Sequence, residues 1–488
     1  MQSRFPSWLV VVSLFVLGGC ATRPVNPPIE KVDLNTGYRF ESRLEHRRDI
    51  DTENLVVLGF SGGGIRAAAF SYGVLEALRR IELIGPKGNT IRLLDQVDII
   101  TGVSGGSFTA LAYGLYGDKL FDLYEAGFLK RDVQGELIAR FLNPGNWGAL
   151  SSKGWGRSEM AAELYDEILF HGATFADLDR GNGPMVVAQA TDISSGARLG
   201  FQQSVFDYLC SDLSAVPLSR AAAASSAVPF ALSPVTINNY GGSCEFAAPR
   251  WVQEFNDPAT APRPAARAFR QRLEWQVYQD GLNNPYIHLV DGGLADNLGM
   301  RGVLQSLEEI ETVYDAYRPR WLDQVRRIII LVVNSLSLPK TNWNASESAP
   351  GDLAILIKAT GVPIDHYSYE AIDLLRDTVA RWQATRRIRE SGALAGNKDL
   401  AIAQFVNAPN VDLYAIDVSF PALKDKAEFE YLNNLPTAFV LSPEAVDRLR
   451  AAAGTIILSS PDFQRLLKDI GAKVVARPPA IGGAAIAH

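Results

Sequence analysis

Val97-Asp98-Ile99-Ile100-Thr101-Gly102-Val103-Ser104-Gly105-Gly106 is the stretch whose reading decides the fold. Its first five residues are mostly apolar and β-branched, which suits a short buried strand. The next five, Gly-x-Ser-Gly-Gly, hold a serine between small residues. A G-x-S-x-G turn forces the serine into a sharp elbow between a strand and a helix, and its small neighbours make room for it. The hydroxyl is then exposed, and the N–H groups opening the next helix point at it. Taken alone, the pentapeptide could equally be a tight turn without chemistry. The strand in front of it is what gives it weight.

Upstream, Leu55-Val56-Val57-Leu58 is a continuous apolar strand. Glycines follow, then a helical pattern over 67–80 with Phe70, Val74, Ala77 and Leu78 on one face. Downstream, 185–190, 287–290, 327–333 and 413–418 read as further strands. Strands apolar on both sides and separated by helical patterns predict an α/β fold with a parallel sheet covered on both faces. No internal repeat and no clean domain boundary appear between 45 and 475, so 46–476 reads as one domain with insertions. Residues 258–267 read as a surface connection inside an insertion, and 477–488 as a frayed tail.

Two more segments put special residues at strand ends, where open α/β sheets bind ligands. Ser61-Gly62-Gly63-Gly64-Ile65-Arg66 follows the first strand. Its glycines let backbone N–H groups approach a ligand, and a helix N-terminus favours negative charge. A Walker loop would end in Gly-Lys-Ser/Thr, and a dinucleotide turn would need a last glycine where Ala67 stands. With a nucleophilic serine elsewhere, an oxyanion hole fits better, its donors drawn from Gly62, Gly63, Gly64 and Gly105. Arg66 could attract an anion or anchor the loop. Asp291-Gly292-Gly293 follows the strand 287–290 and leaves a carboxylate accessible, or caps the next helix.

Gly-Gly-Gly-x-Arg, Gly-x-Ser-Gly-Gly and Asp-Gly-Gly in this order resemble the patatin-like phospholipases. Ala224-Ser225-Ser226-Ala227-Val228-Pro229 resembles the family's Ala-Ser-x-x-Ala-Pro stretch. The similarity runs from about 52 to 300 and fades beyond. One departure is Ala67, where many members have glycine. The resemblance implies a three-layer α/β/α domain with a mainly parallel central sheet. It also implies a Ser104–Asp291 dyad hydrolysing acyl esters of phospholipids or related lipids.

A serine nucleophile needs a base within hydrogen-bond reach. The five histidines are His46, His171, His288, His366 and His488. His288 lies an odd number of residues from Asp291, hence on the opposite face of a strand. Ser104…Asp291…His366 has the chain order of an α/β-hydrolase triad, but His366 sits in a polar helical stretch. The dyad is the preferred assignment. Asp192, also at a strand end, reads as a structural cap. Partial burial should raise the pKa of Asp291 toward a useful base. No cluster suits calcium or zinc, so neither a metal nor another cofactor is expected. Trp147 and Trp155, in the glycine-rich 144–156 segment, are a candidate membrane-facing flap, or an aromatic-pinned surface loop.

At the N-terminus, Arg4 precedes an apolar run over 8–17, too short for a bilayer that needs ~20 residues. It ends in Leu17-Gly18-Gly19-Cys20, which resembles a bacterial lipobox. Residues 1–19 then read as a signal peptide and Cys20 as a lipidated anchor. Residues 20–45, with Pro24, Pro27 and Pro28, read as a tether. Ala21, rather than Asp, favours the periplasmic face of the outer membrane. The remaining cysteines, Cys210 and Cys244, could bridge in an oxidising compartment or stay as buried thiols.

Composition bounds the alternatives. The chain has 488 residues, 47% apolar and 21% charged, with a net charge of −7. That excludes a disordered chain and gives no support to nucleic-acid binding. A broad carboxylesterase or thioesterase on soluble substrates shares the same residues. A non-catalytic envelope lipoprotein is the other alternative.

Overall fold

The computed structural model describes residues 21–46, 53–85, 87–247, 266–312, 320–338, 343–394, 396, 399 and 410–478. Cys20, the apolar run before it, most of 258–267 and the tail beyond 478 lie outside the described residues.

The strands are β1 (Asn54–Phe60), β2 (Ile81–Ile84), β3 (Thr90–Arg92), β4 (Val97–Val103), β5 (Met185–Asp192), β6 (Arg198–Gly200), β7 (Val235–Asn238), β8 (Tyr286–Asp291), β9 (Arg327–Asn334), β10 (Asp412–Ser419) and β11 (Lys473–Val474). The central sheet runs β10-β9-β1-β4-β5-β8-β7, with β6 added to β5. From β10 to β5 the pairing is parallel. β8 runs antiparallel to β5, and β7 and β6 are antiparallel to their neighbours. The sheet is therefore mainly parallel, as expected. The strand carrying Asp291 nevertheless runs against the parallel strands from β10 to β5.

Parity along the strands explains why they read as unbroken apolar runs. Side chains alternate between faces. Val56, Leu58 and Phe60, with Ile329, Leu331 and Val333, face a core shared with the helices Gly64–Leu78 and Pro443–Ser459. Leu55 and Val57, with Ile328, Ile330 and Val332, face a second core under Leu304 and Leu307 of the helix Arg301–Thr312 and Ile372 and Leu375 of Asp352–Glu390. Both faces are covered, giving three layers. The segments after 300, where the family resemblance fades, thus complete the same sheet and both cores.

Residues 21–46 correct the expected tether. Asn26 is buried and exchanges hydrogen bonds with Ser211 Oγ (2.8 Å), Asn238 O (2.9 Å) and Asn238 N (2.8 Å). Tyr38 accepts from Val186 N–H at 2.7 Å. Arg39 clamps Asp207 through two bonds of 2.6 and 2.8 Å. Arg43, in the helix Phe40–His46, donates to the carbonyls of Leu178, Asp179 and Gly181. Polar composition suggested solvation, but Asn26, Arg39 and Arg43 are buried donors with fixed acceptors. Cys210 and Cys244 form a buried disulfide, Cα–Cα 5.5 Å, beneath this segment.

Candidate active site

The elbow forms as its composition requires. Ser104 has φ 48° and ψ −121°, between β4 and the helix Gly105–Tyr116. A non-glycine residue in such a region costs of order 1–3 kcal/mol and persists only where its surroundings over-determine it. They do so here. Ser104 N–H donates to Ser225 Oγ (2.9 Å), whose hydroxyl donates to Gln189 O (2.6 Å). Ser104 O accepts from Ser107 N (3.0 Å) and Ser107 Oγ (2.6 Å). Gly105 is held to glycine by its neighbour: an added Cβ would lie 1.9 Å from Gly64 O.

Asp291 reaches the same point from β8. Its N–H donates to Ala227 O (3.0 Å), and Gly292 N–H to Ser225 O (3.1 Å). Its carbonyl accepts from Thr191 Oγ1 (2.9 Å). The Ala224–Pro229 block is thus a brace, joining the serine's elbow to the acid's turn. The carboxylate accepts from Gly293 N–H (2.8 Å), and the Ser104 hydroxyl stabilises its charge from close by. Burial pushes its pKa up from 3.8 to about 6, against the pull of those two groups. A base near neutrality combines a useful ionised fraction with a useful proton affinity.

The glycine loop is pinned nearly throughout. Ser61 N–H donates to Val333 O (3.1 Å), and Ile65 N–H to Ala438 O (2.9 Å). Gly62 N–H donates to Asn297 O (2.9 Å). That corrects the oxyanion set, because the Gly62 donor is occupied. Gly62 matters for its missing side chain, since a Cβ there would lie 2.5 Å from Asn297 Oδ1. The N–H groups of Gly63, Gly64 and Gly105 take no acceptor within the chain among the described residues. They open two helices, whose first N–H groups lack intrahelical partners.

Arg66 is buried, and its guanidinium donates to Ser335 O (2.8 Å), Leu435 O (2.8 Å) and Thr437 Oγ1 (3.1 Å). Burial lowers its pKa to about 10. Of the two roles open to it, the loop anchor is the one built here. It staples the glycine loop to the C-terminal segments.

His171, His288 and His366 are the histidines whose side chains are described. His288 is exposed, its Nδ1 3.0 Å from Thr236 Oγ1. His171 is exposed in a left-handed turn, and His366 is exposed on its helix. No described interaction joins any of them to Ser104 or Asp291. Asp192 accepts from Ser194 N–H (3.0 Å) and Ser195 Oγ (2.6 Å), closing its own turn. Trp155 is buried and Trp147 is 51% exposed. Sequence reasoning named no role for Asn297, whose carboxamide lies between the positions a Cβ would take on Gly62 and Gly293.

These features define a class: an α/β/α protein with a serine on a strained strand–helix elbow, beside a buried carboxylate. The chain belongs to the patatin-like phospholipases, whose family model matches residues 58–304. No curated protein sequence matches it significantly. Solved structures similar to it include human GIVD cytosolic phospholipase A2, at 12% identity and TM-score 0.43, aligned over 93% of this chain and 66% of that one. The same human protein in complex with methyl gamma-linolenyl fluorophosphonate gives 12% and 0.44, over 90% and 64%. VipD from Legionella pneumophila gives 10% and 0.26, over 94% and 73%. This chain thus spans just under two thirds of the human chains' length.

Proposed function

We propose that this protein hydrolyses ester bonds of phospholipids or related lipids through a Ser104–Asp291 dyad and an acyl-enzyme. The observation that carries the reading is the strained Ser104 beside a carboxylate buried among neutral groups. Asp291 takes the serine proton as Oγ attacks the ester carbonyl. The N–H groups of Gly63, Gly64 and Gly105 receive the oxyanion, each such donor being worth about 3–4 kcal/mol in the transition state. Asp291 returns its proton to the leaving alcohol, then activates the water that cleaves the acyl-enzyme.

Exposed apolar side chains support a lipid substrate over a soluble one. Phe230, 57% exposed, lies three residues after Ala227, which holds Asp291 N–H. Leu142, 63% exposed, ends the helix Val133–Leu142, whose Gln134 bonds Phe439 beside the glycine loop. A lipidated Cys20 would hold this mouth at a bacterial envelope membrane; an acyl chain contributes ~0.8 kcal/mol per buried CH₂.

Lipid mass spectrometry on vesicles incubated with wild type and Ser104→Ala tests the reaction, with fluorophosphonate labelling as the companion readout. Wild type should release fatty acid and take the label, and Ser104→Ala should do neither. An unlabelled wild type that leaves the lipids unchanged would return the chain to a binding role. Turnover of monomeric esters only would move it to soluble substrates. Loss of membrane association in Cys20→Ser after a high-salt wash checks the anchor.

A further inference from the structure

On the sheet face opposite the helix Gly105–Tyr116 lies a cavity of about 420 Å³. Small-ligand sites run roughly 300–1,000 Å³. Leu55, Val57, Ile99 and Val187 form an apolar floor of sheet residues. The helices Ala266–Gln276 and Arg301–Thr312 contribute the opposite wall.

At one end stands Arg198, on β6 and 6% exposed. Its Nη1 donates to Gln189 Oε1 (3.1 Å) and its Nη2 to Gln305 Oε1 (2.8 Å). Its Nε is buried without a partner. Burial pulls the guanidinium below its ordinary pKa, helped by Arg272 and Arg301, and Asp296 and Glu274 offset this through space without a hydrogen bond. Of the two lining carboxylates, Glu309 is paired with Arg272 at 3.6 Å and Glu41 is exposed.

Arg43 likewise keeps an unpartnered buried Nε, but it gives its other N–H groups to the carbonyls of Leu178, Asp179, Gly181 and Gly183. Arg39 has Asp207 and Arg220 has Glu159, while Arg66 has two carbonyls and a hydroxyl. A buried cation without an anion is costly. Arg198 gives its hydrogen bonds to two neutral amides and lines the cavity. A guanidinium edge matches a carboxylate in a two-bond fork.

We propose that this cavity binds a fatty acid, its carboxylate on Arg198 and its chain along Leu55, Val57, Ile99 and Val187. The ligand class is read from the cavity, not from the proposed reaction, although that reaction would release such acids. The site is separate from Ser104 yet shares a residue with its support. Gln189 holds Arg198 with its side chain and Ser225 Oγ with its carbonyl.

The test is calorimetric titration of the full chain with dodecanoate below its micellar range, before and after fluorophosphonate labelling. Expected is one site that survives labelling, weakened at least tenfold in Arg198→Gln and lost in Val187→Phe, which fills the floor. Dodecanol should bind at least tenfold more weakly, and inorganic phosphate not at all. No binding to the labelled protein would overturn the proposal, as would affinity unchanged in both variants. If Ser104 takes no label, the active-site reading fails, and the variants still decide the cavity on unlabelled protein. If Arg198→Gln does not fold, Val187→Phe decides alone.

Discussion

Replacing Asp291 by asparagine should make the protein more stable and nearly inactive, for one reason. The carboxyl titrates at about 6 in the fold against 3.8 for a free aspartate, because it is out of water. One pKa unit is worth about 1.4 kcal/mol. Holding this group ionised in the folded chain therefore costs on the order of 3 kcal/mol at neutral pH. The sign depends on which state loses its proton first. Below pH 3.8 both states are protonated and the cost is nil. Between 3.8 and about 6 the unfolded chain ionises first, and the fold loses stability as pH rises. Above that window the loss is constant. Asparagine has no proton to lose and keeps a carbonyl oxygen for Gly293 N–H. Asp291→Asn should thus match wild type near pH 4 and exceed it by about 2–3 kcal/mol at pH 8. Activity should fall by roughly 10²–10⁴, the usual contribution of a general base. Denaturant unfolding across pH, with hydrolysis of a monomeric nitrophenyl ester on the same samples, reads both. In wild type, kcat/KM should drop about tenfold from pH 7 to 5, following a single proton. A variant no more stable at pH 8 than at pH 4 relative to wild type would refute the reasoning, as would a wild-type profile flat from pH 5 to 8.

Three further perturbations follow from the same contacts. Arg66→Ala leaves two carbonyls and a hydroxyl buried without their donor, and should lose about 3–5 kcal/mol in urea unfolding together with most activity; an unchanged midpoint would deny its anchoring role. Ser225→Ala removes the acceptor of Ser104 N–H, and should slow fluorophosphonate labelling by about tenfold or more, for a lost bond worth ~1–3 kcal/mol; an unaltered labelling rate would show that the elbow needs no brace. Reducing the Cys210–Cys244 bridge, which spans 34 residues, should lower stability by roughly 3–4 kcal/mol; identical melting with and without reductant would contradict a formed disulfide.

Much of this architecture is legible in local sequence, because the relevant signals are local. Leu55 to Leu58 reads as a buried strand since adjacent residues serve opposite cores. The elbow at Ser104 is written in five consecutive residues. Direction is not local. Nothing within 287–290 says that β8 runs against β5; that depends on the path through β7 and the helix Ala266–Gln276. The loss of Gly62 as a donor is equally non-local, because its acceptor is the carbonyl of Asn297. Residues 21–45 misled through composition. Asn26, Arg39 and Arg43 look like a solvated linker until their acceptors, in segments more than 130 residues away, are known.

Under the proposed hydrolysis and the proposed anchor at Cys20, the packed N-terminal segment also limits where the protein could work. Arg23 lies over the Tyr286 ring at 5.7 Å, beside Gly154, and bonds the Asn238 side chain. Tyr286 opens the reversed strand, beyond the last β5 pairing at Asp192 and Leu289. It therefore projects from the same end of the sheet as Ser104. Three residues separate Arg23 from Cys20, a span of roughly 10 Å. Acyl chains at Cys20 would moor the protein on a short leash, mouth downward, rather than let it swing. Such an enzyme would process lipids of the leaflet that holds it, as a reaction confined to two dimensions, and a facing membrane would lie out of reach.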